Sequence, residues 1–109
     1  MRKPAPAPKG SALLFAALGD KTRLRLVARL SAGEMSIANL TAGSRLTRQA
    51  ITKHLRVLED ARLVHSARHG RERLWRLDGR RLEEARRYLD RISRHWDDSL
   101  ARLRALVER

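Results

Sequence analysis

The chain contains no cysteine. That excludes disulfides, thiolate metal sites and thiol redox switching, and it fits a cytosolic protein. Long apolar runs are missing too. Nothing approaches the roughly 20 consecutive residues needed to span a bilayer, and no apolar segment follows the basic opening MRKPAPAPKG as a signal peptide would require. There is no Gly-rich phosphate loop, no serine elbow and no HExxH pair, so no enzyme is expected. Acids are scarce: 12 Asp and Glu against 25 Lys and Arg, a formal charge of +13. Such an excess resists compaction unless a polyanion relieves it. Nucleic acid is the first candidate, through release of condensed counterions, and an anionic membrane surface the second.

What is present describes one domain. The 109 residues are 42% hydrophobic and 34% charged, enough for one modest core. Residues 1–10 alternate Pro and Ala with Lys and Arg, the composition of a flexible basic arm. Residues 11–109 form the expected domain. A first helix from Ser11 carries Leu13, Leu14, Ala17 and Leu18 and is broken by Gly19-Asp20. A second, opened by Asp20 or Lys21-Thr22, is expected to turn Leu24, Val27 and Leu30 inward and to end at Ala32-Gly33. Ser36 caps a short helix with Ile37 and Leu40, ended by Gly43. Thr47 caps the next, through about Asp60, with Ala50, Ile51, Leu55 and Leu58 inward at steps of three and four.

From Leu63 the period changes. Leu63, Val64, Leu74, Trp75 and Leu77 flank the polar centre Arg68-His69-Gly70-Arg71, which reads as a β-hairpin with a glycine at its tip. Asp78-Gly79 then opens a long helix over about residues 80–107. Leu82, Ala85, Leu89, Ile92, Trp96, Ser99, Leu103 and Leu106 recur on it at a 3.5-residue period, widened by Leu100 and Val107. At roughly 40 Å it exceeds what so small a domain needs. A second copy of the chain is the expected partner, with Leu13, Leu14, Leu82, Leu89, Ile92, Trp96, Leu100 and Leu103 as interface.

A short helix, a turn, a second helix with one apolar and one basic face, and an arginine-rich ribbon make a winged helix-turn-helix: mainly α, with a small β-hairpin and a long C-terminal dimerisation helix. The segments LGDKTRLRLVARLSAGEMSIANL and LTRQAITKHLRVLEDARLVHSARHGRERLWRLD resemble the ArsR-type repressors of bacteria over about residues 13–78. The resemblance implies a homodimeric transcriptional regulator, acting in the bacterial cytoplasm at the nucleoid. It would bind a roughly palindromic operator in double-stranded DNA and be released by a signal. The sequence does not identify the inducer.

The residues supply their own argument. With Ile51, Leu55 and Leu58 inward, Arg48, Gln49, Thr52, Lys53 and Arg56 face out. Arg can bridge guanine and Gln adenine, so the first turn should read bases, whereas Lys53 and Arg56 should hold backbone. Thr47 can cap the helix and hold a phosphate; His54 can border the core or touch DNA. Arg45 precedes this helix, and Arg68, His69, Arg71 and Arg73 follow on the wing. Between Gly43 and Leu77 nine basic residues (Arg45, Arg48, Lys53, Arg56, Arg62, Arg68, Arg71, Arg73, Arg76) face three acids (Glu59, Asp60, Glu72). Trp75 is expected to pack rather than stack on a base. The same charge without base reading would make a nonspecific nucleic-acid binder. A long helix pairing with a different protein would make an interaction module.

No cofactor is expected. Relatives that sense metals carry cysteines where this chain has EMSIANL. His95 and Asp98 share a helix face near Asp90 and Asp97, where a site shared by both chains' terminal helices could lie, but two ligands are too few for zinc without a symmetric contribution. No metal site is read, with His95 and Asp98 as the remaining candidates. Asp90–Arg94 and Asp98–Arg102 have the spacing of helical ion pairs.

Overall fold

Asp20, Ser36, Thr47 and Asp78 each accept a hydrogen bond from an amide two or three residues on, and each begins a helix. The computed structural model describes residues 6–108. Its elements are α1 (Ser11–Leu18), α2 (Lys21–Leu30), β1 (Met35–Ser36), α3 (Ile37–Thr41), α4 (Arg48–Asp60), β2 (Val64–His69), β3 (Glu72–Leu77) and α5 (Gly79–Val107). The three strands form one antiparallel sheet in the order β1-β3-β2. The architecture is the expected winged helix-turn-helix, mainly helical with a long terminal helix.

The core lies where α1, α2, α3 and α4 meet the inner face of the wing. Leu14, Leu26, Leu30, Leu40, Ile51, Leu55, Leu58, Leu63, Val64 and Trp75 are buried together. Trp75 packs inside, as expected. Leu24 does not: it is 51% exposed and Leu26 takes its place. At about 100° per residue Leu24 lies some 120° around the helix from Leu30, whereas Leu26 lies only about 40° away. Leu14 also departs from expectation. It is fully buried in its own subunit's core and cannot serve a dimer interface, while the adjacent Leu13 stays half-exposed.

Three arginines work as backbone clamps. Arg23 donates to the carbonyls of Ala17 and Ala16 and binds α2 to the end of α1. Arg29 donates to Leu40 and Asn39 and fastens α3. Arg81 is itself buried; its guanidinium donates to the carbonyls of Ala61, Lys9 and Gly10 and to the Glu84 carboxylate. Residues 1–5 of the expected arm lie outside the described residues, but Lys9 and Gly10 are held in place by this side chain. Helix α4 ends with the Arg62 amide bonded to Glu59 and the Leu63 amide to Leu58. Arg62 sits there in the left-handed region (φ 61°), the position usually given to glycine.

Candidate nucleic-acid interface

Helix α4 begins because Thr47 is extended and its Oγ1 accepts from the Ala50 amide at 3.1 Å. Burial of Ile51, Leu55 and Leu58 fixes its rotation, so Arg48, Gln49, Lys53 and Arg56 are turned to solvent. Of these, Arg56 has a carboxylate neighbour, Glu59, at 4.0 Å. Thr52 is half-buried and its hydroxyl donates to the Arg48 carbonyl at 2.8 Å, leaving lone pairs but no free proton. Arg45 stands exposed in the turn before Thr47.

His54 points the other way. Its Nδ1 lies 3.2 Å from the Arg23 guanidinium and 3.9 Å from Asp20, so it ties α4 to the α1–α2 corner. The Arg23 amide holds the Asp20 carboxyl below its usual range against some desolvation, with the charges of Arg23 and His54 assisting.

The hairpin turns at Gly70-Arg71, with Gly70 at φ 62° and His69 opposite Glu72. Residues directly opposite in an antiparallel pair share a face. Val64 opposes Leu77, Ser66 opposes Trp75 and Arg68 opposes Arg73. Val64 and Trp75 are buried, so this is the face toward α4, and Ser66 Oγ reaches Glu59 of α4 at 3.5 Å. Past the edge of the body the same row continues as Arg68 and Arg73. Two like charges directly opposite repel unless an anion joins them; Arg73 is steadied by Ser66 Oγ at 2.9 Å. His69 lies on the other face with Glu72, and Arg71 is exposed at the tip. Arg73, Ser66 and Glu59 thus link this face of the wing to the last turn of α4.

A helix-turn-helix domain model matches residues 18–67. The HTH-type transcriptional regulator Rv2034 of Mycobacterium tuberculosis is 35% identical over 92 residues, covering 84% of this chain and 83% of that protein. An ArsR-like transcriptional regulator from a Rhodococcus species superposes with a TM-score of 0.83 at 37% identity, over 91% of each chain. The chain belongs to the ArsR family. It is a DNA-binding transcriptional regulator and not an enzyme. A transcriptional repressor SmtB homolog of Synechocystis is 39% identical over 57 residues, 52% of this chain and 43% of that protein.

The regulator's second exposed surface is apolar. On α5, Leu89, Trp96, Leu100 and Leu103 are each more than half exposed, and Ile92 is half-buried. Leu82 instead packs partly against its own core. Part of the flank of α5 is paired locally. Arg86 bonds Glu83 and Asp90, and Arg87 pairs with Glu83. Asp90 therefore pairs four residues back to Arg86, not forward to Arg94, and Arg102 donates to Ser99 rather than to Asp98. Among the described residues no three metal-ligating side chains converge, at His95 and Asp98 or elsewhere. No helix among these residues is long and apolar enough to cross a membrane.

Arg23, Arg29 and Arg81 carry no signal in the sequence beyond charge, since each acts on a carbonyl that only the fold brings near. The hydrogen bond between His65 Nε2 and Asp78 Oδ2, 2.7 Å across the base of the wing, is equally hidden in the sequence. The hydrogen bond from His65, with the amides of Arg81 and Arg80, lowers the Asp78 carboxyl's pKa against partial burial.

Proposed function

We propose that the regulator binds a roughly palindromic operator as a homodimer, reads its sequence through the first turn of α4, and represses transcription. The observation that carries this reading is the bare first turn of α4. Arg48 and Gln49 are exposed beside a cap that leaves the helix start open. The wing adds the Arg68–Arg73 pair. In this reading Arg48, Gln49 and Thr52 meet base edges. Arg45, Thr47, Lys53, Arg56, Arg68, Arg71 and Arg73 hold phosphates. His54 acts from behind, by setting the pitch of α4, and His69 has at most a flanking contact.

Homodimerisation is supported by the apolar stripe on α5, which a twofold mate would cover together with Leu13. Repression is supported by the name of the Synechocystis relative. The place of action that follows is the bacterial cytoplasm, at the nucleoid.

Selection of bound duplexes from random DNA tests the reading. The expected product is a twofold site with half-sites about one helical turn apart. Arg48→Ala should relax base preference, and Lys53→Ala should weaken all sequences alike. Equal affinity for selected and random duplexes at fixed salt would make the protein a nonspecific nucleic-acid binder. A monomer at micromolar concentration would favour an interaction module that pairs with another protein.

A further inference from the structure

A groove of about 350 Å³ lies between α2 and the α3–α4 turn. That is near the low end of the volumes that small-molecule sites occupy, roughly 300–1,000 Å³. Its lining joins apolar side chains such as Leu26 and Ile51 to the polar Ser44, Arg25, Arg29 and Arg45. No carboxylate lines it. Thr22, Arg25 and Arg29 recur at steps of three and four, so one face of α2 presents a hydroxyl and two guanidiniums.

The charge in this groove is fixed in place. The Arg29 guanidinium is half-buried and anchored on two neutral carbonyls, Leu40 at 2.7 Å and Asn39 at 2.8 Å. Those bonds position the cation without neutralising it, and the remaining donors of its five stay free. Arg25 and Arg45 are exposed, and the ion pairs formed among the described residues involve other arginines. Ser44 Oγ accepts from the Leu46 amide at 3.1 Å, which orients the hydroxyl and leaves its proton to donate. Gly43, at φ 77°, has no atom within 4 Å of where a side chain would start, so the mouth is open. Arg45 belongs both to this groove and to the turn that leads into α4.

We propose that the groove is a phosphate seat, with Arg25 and Arg45 as the closing ligands and Arg29 and Ser44 as the fixed ones. A guanidinium fork matches a phosphate's oxygens, and hydroxyl donors complete the set. The phosphate comes from one of two sources: the operator backbone flanking the α4 contact, or a free phosphorylated small molecule whose binding would compete with that backbone. Only the first source rests on the DNA-binding reading.

The test uses the full chain and two variants of an exposed residue, Arg25→Gln and Arg25→Lys. Against a selected duplex, Arg25→Gln should lose about tenfold in affinity, equally on selected and random DNA. The slope of log affinity on log salt should shrink by about one per subunit. Arg25→Lys should retain most of the affinity. In a second arm, inorganic pyrophosphate is titrated into each protein at constant ionic strength by calorimetry. Heat that Arg25→Gln abolishes, with DNA affinity unchanged, assigns the seat to a free phosphate. Unchanged DNA affinity and salt slope together with no Arg25-dependent pyrophosphate heat overturn the seat and leave the operator reading intact. If the wild-type protein binds no DNA, the operator reading fails, and the seat then stands or falls on the pyrophosphate heat.

Discussion

Helices α4 and α5 carry the same kind of apolar stripe and use it in opposite ways. On α4, Ile51, Leu55 and Leu58 are buried in the body of their own chain, and what remains outside includes Arg48 and Lys53, which pair with no carboxylate among the described residues, ahead of the Arg56–Glu59 pair. On α5 the stripe beyond Leu82 and Ala85 is bare, and beside it Arg86 and Arg87 pair with Glu83 and Asp90. An amphipathic pattern states that a face needs cover; it does not name the cover. The other face supplies the second half of the answer. A helix whose stripe its own chain already covers is left with its polar face to offer a partner, and a helix whose stripe stays bare still needs another apolar face.

The sharpest contrast comes from truncating each stripe. Leu58→Ala should cost about 2–5 kcal/mol of folding stability in denaturant titrations at fixed protein concentration, because a fully buried leucine leaves a cavity. Trp96→Ala should leave the helical signal intact and act on association. A large aromatic at an interface centre is worth roughly 2 kcal/mol, about 30-fold in the dimer constant seen by sedimentation. If Trp96→Ala unfolds the subunit without changing its oligomeric state, α5 folds against its own chain and the contrast between the helices disappears.

The next test concerns how α5 is joined to the body. Arg81→Met removes the donors to three carbonyls, those of Ala61, Lys9 and Gly10, which otherwise have to find water. A loss of about 1–3 kcal/mol is expected in the same titrations. Proteolysis at residues 6–10 should accelerate with it. A variant as stable as the parent would mean that the first half of α5 is held by Ala85 and Leu82 alone.

Such clamps explain where sequence reading stopped. The start of α4 was legible because Thr47 and the three-four spacing of Ile51, Leu55 and Leu58 are local signals that agree. The hairpin was legible because Gly70 interrupts two runs whose register places Val64 against Leu77. Strand β1 was not: two residues have no period, and Met35 is a strand only because Trp75 pairs with it. Leu13 and Leu14 could not be told apart, since adjacent leucines differ by about 100° on a helix whose neighbours were unknown. For the candidate interface, the outward set on α4 followed from its inward set, and Arg68 and Arg73 from their alternation. His54 was open, and its answer came from Arg23, a residue on another helix.

The smallest expected effect joins the two helices' surroundings, because Asp78 caps α5 while its other oxygen holds His65 of the wing. Asp78→Asn keeps a competent cap and removes the charge, so it reads what the charge adds to the His65 contact and to the cap together. The folded carboxyl titrates below its ordinary value, the unfolded one near 3.9. Its contribution is therefore complete above that unfolded value and disappears as pH falls through the lower folded one. Both side chains are partly exposed, so at pH 7 the variant should be less stable by under about 1 kcal/mol. Asp20 and Glu83 are lowered too and titrate in the same range, so the parent's acid unfolding alone is not diagnostic. The difference between parent and variant is: it should narrow between about pH 5 and pH 2. A gap that stays constant over that range would mean that the charge of Asp78 adds nothing, and that it serves α5 and His65 as a neutral side chain would.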